Sequence, residues 1–377
     1  MTLAKAKIAL VFDWMTNSGG AEKVNLMLHE MFPKAPIFTS IYNPKALKGF
    51  EKAAITTSFI QNFPFAKTRH QFYLGFMPYA YELFDLSSFD IVISSSHACA
   101  KGVITKPETL HVCYCHTPMR YAWDNWQSYI RDYKMNFLFK NFAKKRMHKI
   151  RLWDRLAADR VDYFIANSET TKRRIEKYYR CPSTVIYPMI DIKNFYISKN
   201  TKGYFLAVGR LTPYKKFDLI IETFNQIGLP LKIVGRGIAE NELRRQAKGN
   251  IEFLGSVSDQ ELQKLYSECE ALIFPQIEDF GITPIEAMAS GRPVIAFSEG
   301  GALDTIIDGK TGILFKKQTS LQLKGAIETY QKTKKKFDPE FLRDHASQFD
   351  KSEFEKKLMK YLNEKWDRHQ ASLAACG

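Results

Sequence analysis

The feature that most constrains the fold is a regular alternation of short, apolar, β-prone runs with segments of helical length. Five predicted strands fall in the first half of the chain and six in the second: Lys7–Phe12, Asp90–Ser94, His111–Cys115, Asp162–Ala166, Thr184–Tyr187, and then Tyr204–Val208, Leu231–Val234, Ile251–Leu254, Ala271–Phe274, Pro293–Phe297 and Gly312–Phe315. Continuous apolar strands separated by helices form parallel sheets that are covered on both faces. The sequence therefore predicts an α/β fold with two doubly wound domains.

The polar, aperiodic segment 188–203 separates the two series and predicts the domain boundary. We expect an N-terminal domain over residues 1–190, a C-terminal domain over residues 203–350, and a final helix over about residues 352–377. No uncharged apolar stretch reaches 18 residues, so no membrane-spanning helix is predicted. The first apolar run, Ile8–Phe12, is too short for a signal-peptide core, which predicts a cytoplasmic protein.

The chain carries a formal net charge of +15, which predicts an anionic partner. Residues 131–180 hold 15 Lys and Arg against 6 Asp and Glu, a surplus of nine. Within them, the stretch Asn136–Arg160 alternates apolar and cationic residues. It could lie on an anionic membrane surface, or it could be an ordinary surface helix whose apolar side packs on its own sheet. No nucleic-acid recognition module is found, so nucleic acid is not the predicted partner.

Glycines follow the first predicted strand, at Gly19 and Gly20. They let the backbone approach a ligand closely, and the N-terminus of the following helix favours an anion. A plain tight turn is the alternative, and the dinucleotide pattern G-x-G-x-x-G is absent.

Two polar motifs follow strands of the second series. Arg210 and Lys215 lie in the first motif and can converge on a diphosphate, or they can belong to a solvated basic loop. Glu278 and Glu286 enclose Gly281, Ile282 and Thr283 in the second motif, with a helix predicted to begin near Pro284.

The backbone N–H groups of that second motif can hold an anion or a sugar hydroxyl, and Glu286, on the first helical turn, can bind a vicinal diol. One alternative is that the two glutamates are the carboxylate pair of a glycosidase. The other is that Glu278 is simply exposed and Glu286 caps its helix.

A further polar cluster follows the strand His111–Cys115. His116 precedes Thr-Pro, which ends the strand and presents the imidazole at its carboxyl end. The aromatic and polar residues that follow are of the kind that binds sugars: Arg120, Tyr121, Trp123 and Asp124. Cys113 and Cys115 beside His116 could suggest zinc, but no second ligand cluster accompanies them, so buried free thiols are predicted.

The motifs of the second series together resemble those of the family 4 retaining glycosyltransferases. The pattern G-R-L-x-x-x-K is matched by Gly209, Arg210, Leu211 and Lys215, and E-x-F-G-x-x-x-x-E by Glu278, Phe280, Gly281 and Glu286. Two departures are Lys216, where the family often has glycine, and Gly235-Arg236-Gly237, where it commonly has G-[DE]-G.

This resemblance implies a GT-B architecture, with two Rossmann-like domains facing across a cleft and a last helix that crosses back to the N-terminal domain. It implies that Arg210 and Lys215 hold the donor's diphosphate and that Glu286 binds the ribose. Glu278 and the backbone of residues 281–283 would hold the hexose. Gly19, Gly20 and His116 match the family's glycine loop and active-site histidine, and Ser168 is expected to line the cleft.

The segment HTPMRYAWD is similar to bacterial mannosyltransferases that build lipopolysaccharide O-antigen. The resemblance therefore implies transfer of mannose from GDP-mannose to a lipid-linked oligosaccharide, at the inner face of the plasma membrane. No D-x-D motif occurs, so no metal or other cofactor is expected. A UDP-sugar transferase, a nucleotide-sugar epimerase, a glycogen-synthase-like glucosyltransferase and a non-enzymatic nucleic-acid binder are the alternatives.

Overall fold

A computed structural model describes residues 2–17, 19–124 and 137–376, with side chains described from residue 144 to 375 in the last range. The chain divides into two compact units. Unit 1 comprises residues 1–187 and 355–377, and unit 2 comprises residues 188–354.

Unit 1 contains a seven-stranded parallel sheet with the spatial order β3-β2-β1-β4-β5-β6-β7. Its strands are β1 Ile8–Phe12, β2 Ile37–Thr39, β3 Ile55–Thr57, β4 Ile91–Ser96, β5 Leu110–Cys115, β6 Tyr163–Ala166 and β7 Ser183–Val185. The chain order reverses between β1 and β4, which pair directly from Ile8 opposite Ile91 to Phe12 opposite Ser95. In open α/β sheets, ligands bind at the carboxyl ends of the strands beside such a reversal.

Unit 2 contains a six-stranded parallel sheet with the order β10-β9-β8-β11-β12-β13. Its strands are β8 Phe205–Val208, β9 Leu231–Val234, β10 Ile251–Gly255, β11 Leu272–Phe274, β12 Val294–Phe297 and β13 Gly312–Phe315. Here the order reverses between β8 and β11, where Leu206 lies opposite Leu272.

Helices connect the strands of both sheets. The α-helices are α1 Gly20–Met31, α2 Ala66–Arg69, α3 Met77–Glu82, α4 Phe137–Ala158, α5 Glu169–Tyr179, α6 Phe217–Ile227, α7 Glu240–Gln246, α8 Asp259–Glu268, α9 Ile282–Ala289, α10 Ala302–Thr305, α11 Ser320–Thr333, α12 Pro339–Ser347 and α13 Lys351–Cys376. Short 3-10 helices span Leu3–Lys5, Phe59–Asn62, His70–Tyr73, Ala100–Gly102, Ile192–Asn194, Pro213–Lys215 and Lys334–Lys336. Within the described part of the chain, no helix is both long enough and apolar enough to cross a bilayer.

The predicted α/β fold class is confirmed, and all eleven predicted strands are present with ends within two residues of the prediction. Every residue of β4, β5 and β12 is buried, as expected for strands covered on both faces. From Glu355 onward α13 belongs to unit 1, where its Leu358, Leu362 and Trp366 are buried. Burial of each such side chain contributes roughly 1.5–3 kcal/mol.

Candidate functional site

The loop that carries Arg210 in unit 2 is packed directly against the loop that follows β9. A Cβ atom built on Gly235 would lie 1.9 Å from the carbonyl oxygen of Gly209, and one on Gly237 would lie 2.3 Å from that of Leu211. Only glycines permit this approach, so the two glycines of Gly235-Arg236-Gly237 support the loop that carries the exposed Arg210.

Lys215 and Glu278 form an ion pair at the reversal of the unit 2 sheet. Lys215 ends the 3-10 helix after β8, Glu278 follows β11, and the Lys215 ammonium contacts Oε1 of Glu278. Both side chains are about one-fifth exposed or less. Because β8 and β11 are neighbours, two motifs that lie 63 residues apart in the chain meet at the edge where ligands bind in such sheets.

Two glycines that the sequence analysis did not single out hold the Glu278 loop. The N–H of Gly301 donates to the carbonyl oxygen of Glu278 at 2.9 Å. A Cβ on Gly300 would lie 2.4 Å from the same oxygen, and one on Gly301 would lie 2.1 Å from the carbonyl oxygen of Phe280. Adjacent glycines after the strand β12 were the signal that could have identified this contact.

The helix α9 begins at Ile282, two residues before the predicted start near Pro284. Gly281 precedes it with a φ of +89°, and a Cβ there would lie 2.8 Å from the ring of Phe274. Ile282 and Thr283 therefore provide the first backbone N–H groups of the helix, which lack acceptors within the helix.

Glu286 lies in the second turn of α9, so its predicted position in the first turn and the alternative of a helix-capping role are both wrong. Its carboxylate is buried, and Oε2 accepts a hydrogen bond from the hydroxyl of Tyr266 at 2.8 Å. Burial, and secondly the charge of Glu286, raise the pKa of Tyr266 well above its usual value. Tyr266 therefore stays protonated and orients the carboxylate.

Asp13 organises the corresponding reversal in unit 1, between β1 and β4. The buried carboxylate accepts four backbone N–H groups of the loop after β4 at 2.6–2.8 Å, those of His97, Ala98, Cys99 and Ala100. Its Oδ2 also lies 3.2 Å from Nδ1 of His97, whose side chain is 27% exposed. The sequence analysis did not pair these two residues, although Asp13 directly follows β1 and His97 directly follows β4.

His116 lies beside this pair and is buried. Its Nε2 is 2.8 Å from the hydroxyl of Ser95, and its ring centroid is 6.4 Å from that of His97. Burial, with a smaller contribution from His97, lowers the pKa of His116 to about 3. The imidazole is therefore neutral at pH 7. Trp14 contacts His97 from another side, at 4.8 Å between ring centroids.

The two predicted glycines lie at the start of α1. Gly19 is the N-cap residue in an extended conformation that any residue can adopt, and Gly20 is the first helical residue. Ser18 lies outside the described residues. Cys113 and Cys115 are buried free thiols, which confirms that prediction.

Several residues predicted to bind sugar have partners within unit 1. The indole N–H of Trp123 donates to Asp154 at 2.7 Å, and Asp124 pairs with Arg174 at 2.8 Å. Ser168 caps α5 by accepting the N–H of Thr171. Arg120 and Tyr121 are partly buried. Sugar contacts of these five residues stay a prediction.

The predicted basic stretch Asn136–Arg160 corresponds largely to α4, although Asn136 and the side chains of residues 137–143 lie outside the described part. Met147 and Ile150 are buried in the core of unit 1. Leu152 and Leu156 are exposed, as are four cations: Lys144, Lys145, Arg146 and Lys149. Part of the apolar side thus packs on the protein and part faces solvent.

Two family models match the chain, Glycosyltransferase Family 4 over residues 18–194 and Glycosyl transferases group 1 over residues 189–339. The chain belongs to the family 4 glycosyltransferases. Two relatives are the alpha-1,3/1,6-mannosyltransferase ALG2 of Dictyostelium discoideum, 28% identical over 223 residues, and the O-antigen chain mannosyltransferase RfbU of Salmonella typhimurium, 34% identical over 157 residues. The matches cover 45% and 37% of this chain, and the chain spans about half the length of these relatives, 53% and 43%.

Among solved structures, the Anabaena protein Alr3699/HepE in complex with UDP and glucose is similar with a TM-score of 0.69 at 18% identity. The match covers 95% of this chain and 99% of that one. This likeness, with the two parallel sheets, shows the GT-B fold class with its two Rossmann-like units.

Proposed function

We propose that this family 4 glycosyltransferase transfers a hexose from a nucleoside diphosphate sugar to a hydroxyl group, with retention of the anomeric configuration. The ion pair between Lys215 and Glu278 carries the proposal, because it joins the two family motifs at the sheet reversal of unit 2. Arg210 and Lys215 bind the diphosphate, and Glu286 binds the ribose. Glu278 and the N–H groups of Ile282 and Thr283 hold the hexose.

GDP-mannose is the donor we favour. The support is the resemblance of HTPMRYAWD to O-antigen mannosyltransferases, and the names of the relatives RfbU and ALG2. A UDP-sugar is the competing donor, because the Anabaena neighbour was solved with UDP and glucose.

Negative charge develops on the departing diphosphate, and Arg210 and Lys215 stabilise it electrostatically. Preorganised cations of this kind contribute about 10²–10³-fold to a rate. We expect these side chains to act without a metal ion. The oxygen of the acceptor hydroxyl attacks the anomeric carbon on the face from which the diphosphate departs. As the bond between that carbon and the phosphate oxygen breaks, the phosphate oxygen takes the proton of the hydroxyl.

His116 orients the sugar and does not serve as the main base, because its low pKa makes the imidazole a weak one. We assign the acceptor to unit 1, where Asp13 supports the partly exposed imidazole of His97. The acceptor we propose is a lipid-linked oligosaccharide at the inner face of the plasma membrane, with anionic lipid contacting the basic stretch 136–160.

The test begins with thermal unfolding in the presence of GDP, UDP and ADP. Selective stabilisation by one of them identifies the nucleotide base of the donor, because a ligand that binds the folded state raises its stability. Transfer of radiolabel from GDP-mannose to a bacterial lipid extract then tests the reaction.

Variants make this test specific to the assigned residues. Arg210→Ala and Lys215→Ala are expected to lose about 10²-fold or more in transfer. Lys232→Ala is the matched control, because Lys232 also pairs with a glutamate, Glu252 at 3.3 Å, but lies on β9. Full activity of the Arg210 and Lys215 variants, or equal loss in the control, contradicts the proposal.

A further inference from the structure

Unit 1 carries a group of aromatic side chains between β3 and β4, most of which are exposed. Phe65 is 72% exposed, Phe72 is 70% exposed and Tyr79 is 58% exposed. We call the group the aromatic surface, and its members are Phe59, Phe63, Phe65, Phe72, Tyr73, Phe76 and Tyr79. Single exposed apolar residues are ordinary in proteins, whereas a contiguous group of them marks an interaction site.

Ring contacts show that most of the aromatic surface is contiguous. Phe63 lies at its centre, with ring centroids 5.1–6.2 Å from those of three neighbours, Phe59, Tyr73 and Phe76. Phe63 and Tyr73 are half-buried and pack against the core of unit 1, so they anchor the more exposed rings. Phe59 in turn lies 6.0 Å from Tyr79. The guanidinium of Arg69 lies 5.9 Å from the ring centroid of Phe65 and 6.0 Å from that of Phe72. One cation thus links the two most exposed rings.

The backbone at Phe65 is strained in a way that packing does not explain. Its φ is +57°, in the left-handed region that bulky residues avoid. The side chain gains little from burial within the protein to offset this strain, since most of its surface is exposed. Strained residues of this kind are concentrated at binding sites and other functional sites.

The charge around the aromatic surface is positive. Residues 59–83 contain Lys67 and Arg69, both exposed, and a single acid, Glu82, which pairs with Arg160 at 2.7 Å. A Cβ on Gly75 would lie 2.2 Å from Nη1 of Arg146, so the cationic helix α4 packs against this segment. The same helix also carries three exposed lysines, Lys144, Lys145 and Lys149.

We propose that the aromatic surface is the part of unit 1 that enters a membrane of anionic lipid. Aromatic rings enter the boundary between headgroups and acyl chains, while lysine and arginine contact the headgroup phosphates. A second copy of the chain fits less well, because a twofold interface on this surface would enclose two copies each of Lys67 and Arg69, while the one acid of residues 59–83, Glu82, is already paired with Arg160.

The segment that carries the aromatic surface also connects to the Asp13–His97 pair, through the rings of His70 and Trp14. His70 lies two residues before Phe72, its ring stacks on Trp14 at 4.7 Å, and its Nδ1 lies 3.3 Å from the hydroxyl of Thr16. Trp14 contacts His97. This step rests on the proposed function, which includes a lipid-linked acceptor. The lipid of that acceptor would stay in the membrane, and its saccharide would lie beside Asp13 and His97.

The experiment measures co-sedimentation of the full chain with vesicles of phosphatidylcholine containing about 30% phosphatidylglycerol, and with vesicles of phosphatidylcholine alone. The test variant is Phe65→Asn with Phe72→Ser, because asparagine tolerates the left-handed backbone at residue 65. The matched control is Ile238→Asn with Leu321→Ser, which removes two apolar side chains of unit 2 that are more exposed than the test pair, at 84% and 77%.

The expected result is that wild type and control bind the anionic vesicles, and that the test variant binds at least tenfold more weakly with an unchanged unfolding temperature. Binding of the test variant like wild type, or no binding of wild type to anionic vesicles, overturns the proposal. A test variant that loses self-association in gel filtration instead of vesicle binding also overturns it, in favour of a second copy.

Failure of the proposed function is distinguishable in the same samples. If GDP and UDP raise the unfolding temperature of none of the proteins, the nucleotide assignment fails while the vesicle result stands. If the test variant loses vesicle binding but GDP or UDP still raises its unfolding temperature, the aromatic surface acts in membrane binding and not in donor binding.

Discussion

Removal of the Glu278 carboxylate is expected to have opposite effects on nucleotide binding and on transfer. In the structure the Lys215 ammonium is paired with Glu278, so a bound diphosphate must share that cation with a carboxylate. Glu278→Gln frees the ammonium and removes a negative charge beside the phosphates. A partly exposed ion pair is worth about 1 kcal/mol, which corresponds to about fivefold tighter binding of the nucleoside diphosphate.

Transfer is expected to fall in the same variant, because the hexose loses its charged acceptor of hydrogen bonds. The loss expected for one such electrostatic contact is about 10²–10³-fold. Titration calorimetry with GDP and UDP measures the first effect, and single-turnover transfer measures the second. The control is Glu252→Gln, which frees Lys232 on β9. Weaker or unchanged nucleotide binding, or an unchanged transfer rate, refutes the reasoning.

Three further predictions concern stability. Burial lowers the pKa of His70 and His111 to about 4 and that of His116 to about 3, whereas the unfolded chain takes up these protons below about pH 6.5. Stability is therefore complete above pH 6.5 and falls as the pH drops towards 4, by about 2 kcal/mol per histidine at pH 5. Urea unfolding at pH 7.5 and pH 5 measures this, and equal values contradict it. Asp13→Asn should destabilise unit 1 by about 3–5 kcal/mol, since an amide nitrogen cannot accept the backbone N–H groups that the carboxylate accepts. A change below about 1 kcal/mol in urea unfolding argues against that role. Lys216→Gly should stabilise unit 2 by about 1 kcal/mol, because Lys216 has a φ of +58° and glycine carries no Cβ penalty there. A lower unfolding temperature would contradict this.

The sequence predicted the fold well where local pattern is strong. Continuous apolar runs identified eleven strands, but the sequence analysis missed β2 Ile37–Thr39 and β3 Ile55–Thr57. β2 contains two apolar residues and β3 only one, whereas each of the eleven predicted strands contains at least three. Only pairing with β1 and then with β2 defines them.

Within the candidate site, the sequence could indicate residues that belong to a dense motif. Lys215 and Glu278 were predicted to serve one ligand, although their direct pairing depends on β8 and β11 being neighbours. The contact between Asp13 and His97 was missed because the two residues are 84 positions apart in the chain, and only the order of the sheet brings them together.

The departure from the family pattern at Lys216 has a physical cost that the sequence alone did not reveal. The residue begins the turn into α6 with a left-handed backbone, the conformation for which glycine is suited. The glycines of Gly235-Arg236-Gly237 are explained by close packing on the backbone of Gly209 and Leu211, which no local pattern encodes.

A crystal structure of the protein with bound GDP tests the central claim most directly. The account predicts phosphate oxygens within hydrogen-bonding distance of Lys215 Nζ and of the Arg210 guanidinium, with a ribose hydroxyl on the carboxylate of Glu286. A nucleotide bound elsewhere, or bound here with Lys215 and Arg210 directed away from its phosphates, would contradict it.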